Sequence, residues 1–145
     1  MTIIFEMSTD ADILATQLDT DWPAVTARHH WAAVRGTNLN IAGGAVIVVI
    51  AHGTNEHIGD EGPSLSIEAP AFLATVQGNM QAGQVPSAVY ISTCGEDIAG
   101  FAAAVRLCAN ANRVWANTKI FGHHSGINGP VPSPNPKNVN WVRIY

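Results

Sequence analysis

The sequence predicts a three-layer α/β domain, a mostly parallel sheet flanked by helices. Three observations carry this. Ala45 to Ala51 is an unbroken run of seven apolar residues, rich in Val and Ile and flanked by glycine, the pattern of a strand buried on both faces. Ser87 to Thr93 is a second, shorter β-rich run. Segments with helical spacing alternate with these and other β-rich stretches, as a parallel sheet with crossover helices requires.

In chain order, Thr2 to Met7 reads as a first strand. Ser8-Thr9-Asp10 offers helix caps, and Ile13, Leu14 and Leu18 give Ala11 to Leu18 helical spacing. Asp21-Trp22-Pro23 marks a break, and with Pro23 in a first helical position Ala24 to Arg35 reads as a second helix. The adjacent His29 and His30 then point to different helix faces, as surface or packing residues. Gly36 to Gly43 is a loop. After the central strand, Gly53 to Leu65 is a polar loop carrying Glu56, His57, Asp60 and Glu61, either a wall of a binding site or a solvated hairpin. Ser66 to Met80 reads as a helix with Pro70 in its first turn and Ile67, Phe72, Leu73 and Val76 on its apolar face. Gln81 to Pro86 turns the chain into the second buried strand.

A further helix follows Gly95-Glu96-Asp97, with Asp97 as a cap and Ile98, Phe101, Ala102, Val105, Leu107 and Cys108 as apolar positions. Arg113 to Phe121 reads as a strand and Gly122 to Asn138, rich in Pro and Gly, as a long loop. Asn140 to Tyr145 alternates as a final strand at an antiparallel edge. Trp22, Trp31, Trp115 and Trp141 are spread along the chain, as core or rim residues are.

The 145 residues suit one domain, 1–145, with a substantial core. Apolar residues are 47% and charged ones 12%, about half the usual charged fraction, so the chain is globular rather than disordered. No apolar run approaches the roughly 18 residues of a membrane span, and the first residues lack the basic region of a signal peptide. A net charge of −4 without a basic cluster argues against a nucleic-acid partner. The two cysteines, Cys94 and Cys108, make no disulfide framework. Cys108 falls in a helix as a small buried residue, and the expected compartment is reducing, the cytoplasm.

The chemistry lies at the strand ends. The central strand runs into His52-Gly53 and the second into Cys94-Gly95. If the two strands are parallel neighbours, an imidazole and a thiol share the sheet edge at which open α/β folds bind ligands, and a thiol beside an imidazole is a nucleophile beside its base. Cys94 also lies at a strand-to-helix turn, where the helix dipole favours thiolate and Glu96 and Asp97 oppose it. Gly53 and Gly95 let backbone N–H groups approach a reacting carbonyl.

An apolar strand ending in His-Gly, followed by one ending in Cys, resembles the caspase-like (clan CD) cysteine peptidases. Val89 to Val105, Val-Tyr-Ile-Ser-Thr-Cys-Gly-Glu-Asp-Ile-Ala-Gly-Phe-Ala-Ala-Ala-Val, is similar to bacterial caspase-like and CHAT-like domains. The resemblance covers about Ala45 to Phe121. It implies a caspase-like fold and a cysteine peptidase, or related hydrolase, acting on a peptide or protein with no cofactor. Cys94 would be the nucleophile and His52 the general base and acid, with the N–H groups of Gly53 and Cys94 on the oxyanion. No third member is fixed. Glu96 and Asp97 would form an acidic wall favouring a basic residue, or simply cap and solvate the helix. His123 would contact substrate or Cys94, or belong to an exposed His123-His124 loop pair. The rival from another class is a catalytically silent caspase-like module that binds or regulates. Zinc ligation by His52, His57, Cys94, His123 and His124 lacks any Cys-x-x-Cys or His-x-x-x-His spacing, so no metal is expected.

Overall fold

A computed structural model describes residues 1–93, 98–123, 129–134 and 140–144. Their elements are β1 (Thr2–Glu6), α1 (Ala11–Leu14), β2 (Val25–His29), α2 (Trp31–Arg35), β3 (Val46–Gly53), β4 (Ile58–Gly59), β5 (Ser66–Ile67), α3 (Ala69–Gly78), β6 (Ala88–Thr93), α4 (Ala99–Ala111), β7 (Lys119–His123) and β8 (Trp141–Ile144). The architecture is α/β with a mostly parallel sheet ordered β2-β1-β3-β6-β7-β8. The first five strands run parallel, and β8 closes the edge antiparallel to β7. The short β4 and β5 form a hairpin on the end of β3.

The two buried runs pair as neighbours. Val46 to Ala51 of β3 lie opposite Ala88 to Thr93 of β6. Side chains alternate between faces. Ile47, Val49 and Ala51 join Val89 and Ile91 in a core closed by Val34 of α2, Phe72 and Val76 of α3, and Phe101 and Val105 of α4. Val48 and Ile50 face the other way with Tyr90 and Phe121, under Ile13 of α1, Trp22, Val131 and Trp141. Among the described residues, one face therefore carries three helices and the other one helical turn and irregular chain.

Several segments depart from the sequence expectation. Ala24 to Arg35 is not one helix: Ala24 has φ 35°, Val25–His29 pairs with β1, and only Trp31–Arg35 is helical. The open edge of β1 supplies backbone partners that outweigh helix propensity. Helix α1 spans one turn and stops short of Leu18, which instead bridges Val131. Ser66 and Ile67 belong to the hairpin, and α3 begins after Glu68, where Pro70 fits the first turn. Residues 113–118 are turns rather than strand, with φ 56° at Arg113 and 58° at Trp115. Trp115 is buried there and donates its indole N–H to Gln77 Oε1 at 2.8 Å. On α4, Leu107 is 70% exposed and Cys108 only partly buried, because Phe101, Ala102, Val105 and Ala109 form the inner face. The last strand has the expected place and direction. No helix among the described residues is long and apolar enough to cross a membrane.

Candidate functional site

The strand order places a crevice at a definite point. From β1 the chain crosses to β2 on one side, and from β3 it proceeds to β6 on the other. The carboxyl ends of β1 and β3 thus flank a topological switch point, where α/β sheets hold ligands. His52 is the penultimate residue of β3, and its side chain is 13% exposed. It shares the parity of Val48 and Ile50, and so lies on the sheet face that α1 covers.

The chain leaving β1 supplies the partners of His52. Met7 N–H donates to Ile50 O at 3.0 Å, so this segment still rides on β3. Three residues on, Asp10 precedes α1 without capping it through its side chain. Its Oδ2 stands 3.4 Å from His52 Nε2 and accepts the Glu61 N–H at 2.8 Å. Asp12, in the first turn of α1, brings both carboxylate oxygens to His52 Nε2, at 3.0 and 3.1 Å. The hydrogen bond from His52 is the main reason the Asp12 carboxyl is held below its ordinary range, against a smaller upward push from burial. With Asp12 ionised, the proton between them sits on Nε2 of His52.

Two clamps set this geometry. Asp60, buried in the hairpin, accepts from Ser8 Oγ at 2.7 Å, Thr9 N–H at 2.6 Å, Ser64 Oγ at 2.9 Å and the Thr9 hydroxyl. Burial raises its pKa, but these donors outweigh that and hold it at about 2. Ser8 and Thr9 therefore serve as donors to Asp60 rather than as helix caps. At the other end of α1, the Arg28 guanidinium donates to the carbonyls of Thr16 at 2.6 Å, Leu14 at 3.1 Å and Ile13 at 3.3 Å while pairing with the buried Glu6. A cation on the carbonyl end of a helix is favourably placed. His30 pairs with Glu6 as well.

The other sequence-predicted residues fall as follows. Gly53 pairs with Ile58 in the hairpin, and a Cβ there would meet Ile58 Cγ2 at 2.8 Å and the His57 carbonyl at 3.0 Å, so packing alone demands glycine. His123 is wholly buried at the end of β7, where its Nε2 accepts the Thr93 N–H at 3.1 Å and its ring lies against Trp141. That bond takes over where the β6–β7 ladder ends at Tyr90 and Phe121. His57 lies in the hairpin turn, outside the cluster around His52. Cys94, Glu96, Asp97 and His124 lie outside the described residues. The strand that leads to Cys94 is nonetheless the neighbour of β3, and its last residue, Thr93, is paired with Ala51.

A cleft of about 600 Å³ opens beside the cluster, lined among others by Asp12, Ile13, His52, Ser92, Thr93 and Val131. Its Val131 wall is fixed by the Val131 N–H on Gln17 O at 2.8 Å and the Asp19 N–H on Val131 O at 2.9 Å. Sequence reasoning reached His52 but read Asp10 and Asp12 only as a cap and a helix residue. The local trace was an Asp-x-Asp three residues beyond the first predicted strand, Thr2 to Met7, and nothing in its spacing ties it to His52. Chemically, the arrangement is an oriented imidazole with a carboxylate on one nitrogen, beside a cleft at a sheet edge. No family model, curated protein or solved structure matches the chain.

Proposed function

We propose that the chain is a caspase-like cysteine peptidase, or a related hydrolase, in which Cys94 attacks and His52 moves the proton. The observation that carries the reading is His52 at the switch point with Asp12 on its Nε2, on the strand adjacent to the one leading into Cys94. With Nε2 protonated toward Asp12, Nδ1 of a neutral ring holds the lone pair that a general base needs. Asp12 is then a positioning residue and the third member that the sequence left open, fixing tautomer and ring together.

In this mechanism Nδ1 takes the Cys94 proton and the thiolate forms a bond to the substrate carbonyl carbon. The Gly53 N–H steadies the oxyanion. The imidazolium returns its proton to the leaving amine as the carbon–nitrogen bond breaks. Water, deprotonated by the same ring, then cleaves the thioester and regenerates the thiol. The cleft beside His52 would receive the substrate.

The test is hydrolysis of a fluorogenic peptide library by the wild type, Cys94→Ala and His52→Ala. Cleavage lost in both variants, with the double variant no worse than either, supports the dyad. Cleavage that survives Cys94→Ala overturns it. A partner bound equally well by all forms, with no cleavage by any, would favour the silent module.

A further inference from the structure

We propose that Asp10, Asp12 and His52 form a binding site for a divalent transition-metal ion such as zinc, and that its occupation disables His52 as a base. One ligand atom from each residue lies within 4.8 Å of the others, and His52 Nε2 stands 3.0 Å from Asp12 Oδ2 and 3.4 Å from Asp10 Oδ2. Ligands of a tetrahedral zinc, each about 2.0–2.1 Å from the metal, are separated by about 3.3 Å. Both distances to His52 therefore lie within a few tenths of an ångström of that spacing. Two carboxylates neutralise a divalent charge, whereas a protonated imidazole between them supplies only half of it. The imidazole selects a transition ion over calcium or magnesium, which prefer oxygen throughout.

The surroundings suit a ligand as well. The Glu61 N–H orients Asp10 from outside, as the outer partners of metal-binding carboxylates do. The cluster stands at the topological switch point, independent grounds for a ligand there. The cleft gives access and leaves room for water or another ligand at the remaining coordination positions.

A neutral imidazole has one lone pair. A metal on Nε2 consumes it and leaves the ring's proton on Nδ1, so the ring can accept nothing from a thiol. The inhibitory consequence rests on the peptidase reading, whereas the binding itself does not.

Equilibrium dialysis of the whole chain against zinc, with cobalt absorption as a second readout, tests the site. One ion per chain is expected, with affinity falling about tenfold or more in Asp10→Asn, Asp12→Asn and His52→Ala, retention in Cys94→Ala and no displacement by excess calcium. Absence of binding at millimolar zinc overturns the proposal. So does binding unchanged in both Asn variants and lost in Cys94→Ala, which would put the ion on the thiol. Urea midpoints in chelator separate misfolding from ligand loss, and exposed Asp12 provides the variant least prone to it. Zinc binding as described in a chain that cleaves nothing even after the metal is stripped by chelator would sink the peptidase reading and leave the metal site standing. Cleavage without zinc binding would do the reverse.

Discussion

Replacing Asp60 with Asn tests whether the loop carrying Asp10 is fastened by a charge. Asp60 is 5% exposed and accepts hydrogen bonds from Ser8, Thr9 and Ser64. Its pKa is lowered from 3.8 to about 2. Because the folded state binds this proton more weakly than the unfolded state, the stabilisation is fully present above about pH 4. It is lost as pH falls through 4 toward 2. That lowering corresponds to about 2 kcal/mol. Asn keeps the shape but sets an amide N–H against hydroxyl and backbone donors, so Asp60→Asn should cost about 2–3 kcal/mol at neutral pH. Urea unfolding of both proteins from pH 7 to pH 2 measures this. The gap between wild type and variant should close as the acid limit is approached. A gap that stays constant with pH would refute the charge argument, and a gap near zero at pH 7 would refute the clamp.

Three other outcomes follow from the same structure. Asp12→Asn should lower kcat by up to about 10²-fold through misplacement of the ring, leave KM and the urea midpoint nearly unchanged, and recover in part in Asp12→Glu; a KM effect alone would assign Asp12 to substrate binding. Iodoacetamide should label Cys94 before the partly buried Cys108, read by peptide mass mapping, and the reverse order would count against a nucleophilic Cys94. Arg106→Ala should destabilise by about 3 kcal/mol in urea melts, since the buried guanidinium holds the Trp115 carbonyl at 2.9 Å and also binds that of Thr118; a loss below about 1 kcal/mol would mean that water replaces it.

The central strands were legible because β3 and β6 are buried on both faces, and only Val- and Ile-rich runs satisfy that condition. Strand β2 was not. It is an edge strand whose residues are exposed or half-buried, so its side chains carry no periodic signal and only the backbone of β1 specifies it. The β-rich composition around Trp115 reflected burial rather than extension, since a left-handed residue breaks the chain there. His52 was legible from its place after an apolar run. Asp10 and Asp12 were not, because the sheet order, rather than any local spacing, brings the end of β1 against the end of β3.

Arg28 joins the least secure part of the sheet to the most consequential. Edge strands open in local fluctuations at a small fraction of the free energy of global unfolding. When β2 peels away it withdraws the guanidinium from the carbonyls of Ile13, Leu14 and Thr16, and the single turn bearing Asp12 is too short to persist unaided. The site is therefore dismantled by an excursion that leaves β3, β6 and their core intact, and its protection against hydrogen exchange should follow the outer strand, not the centre of the sheet.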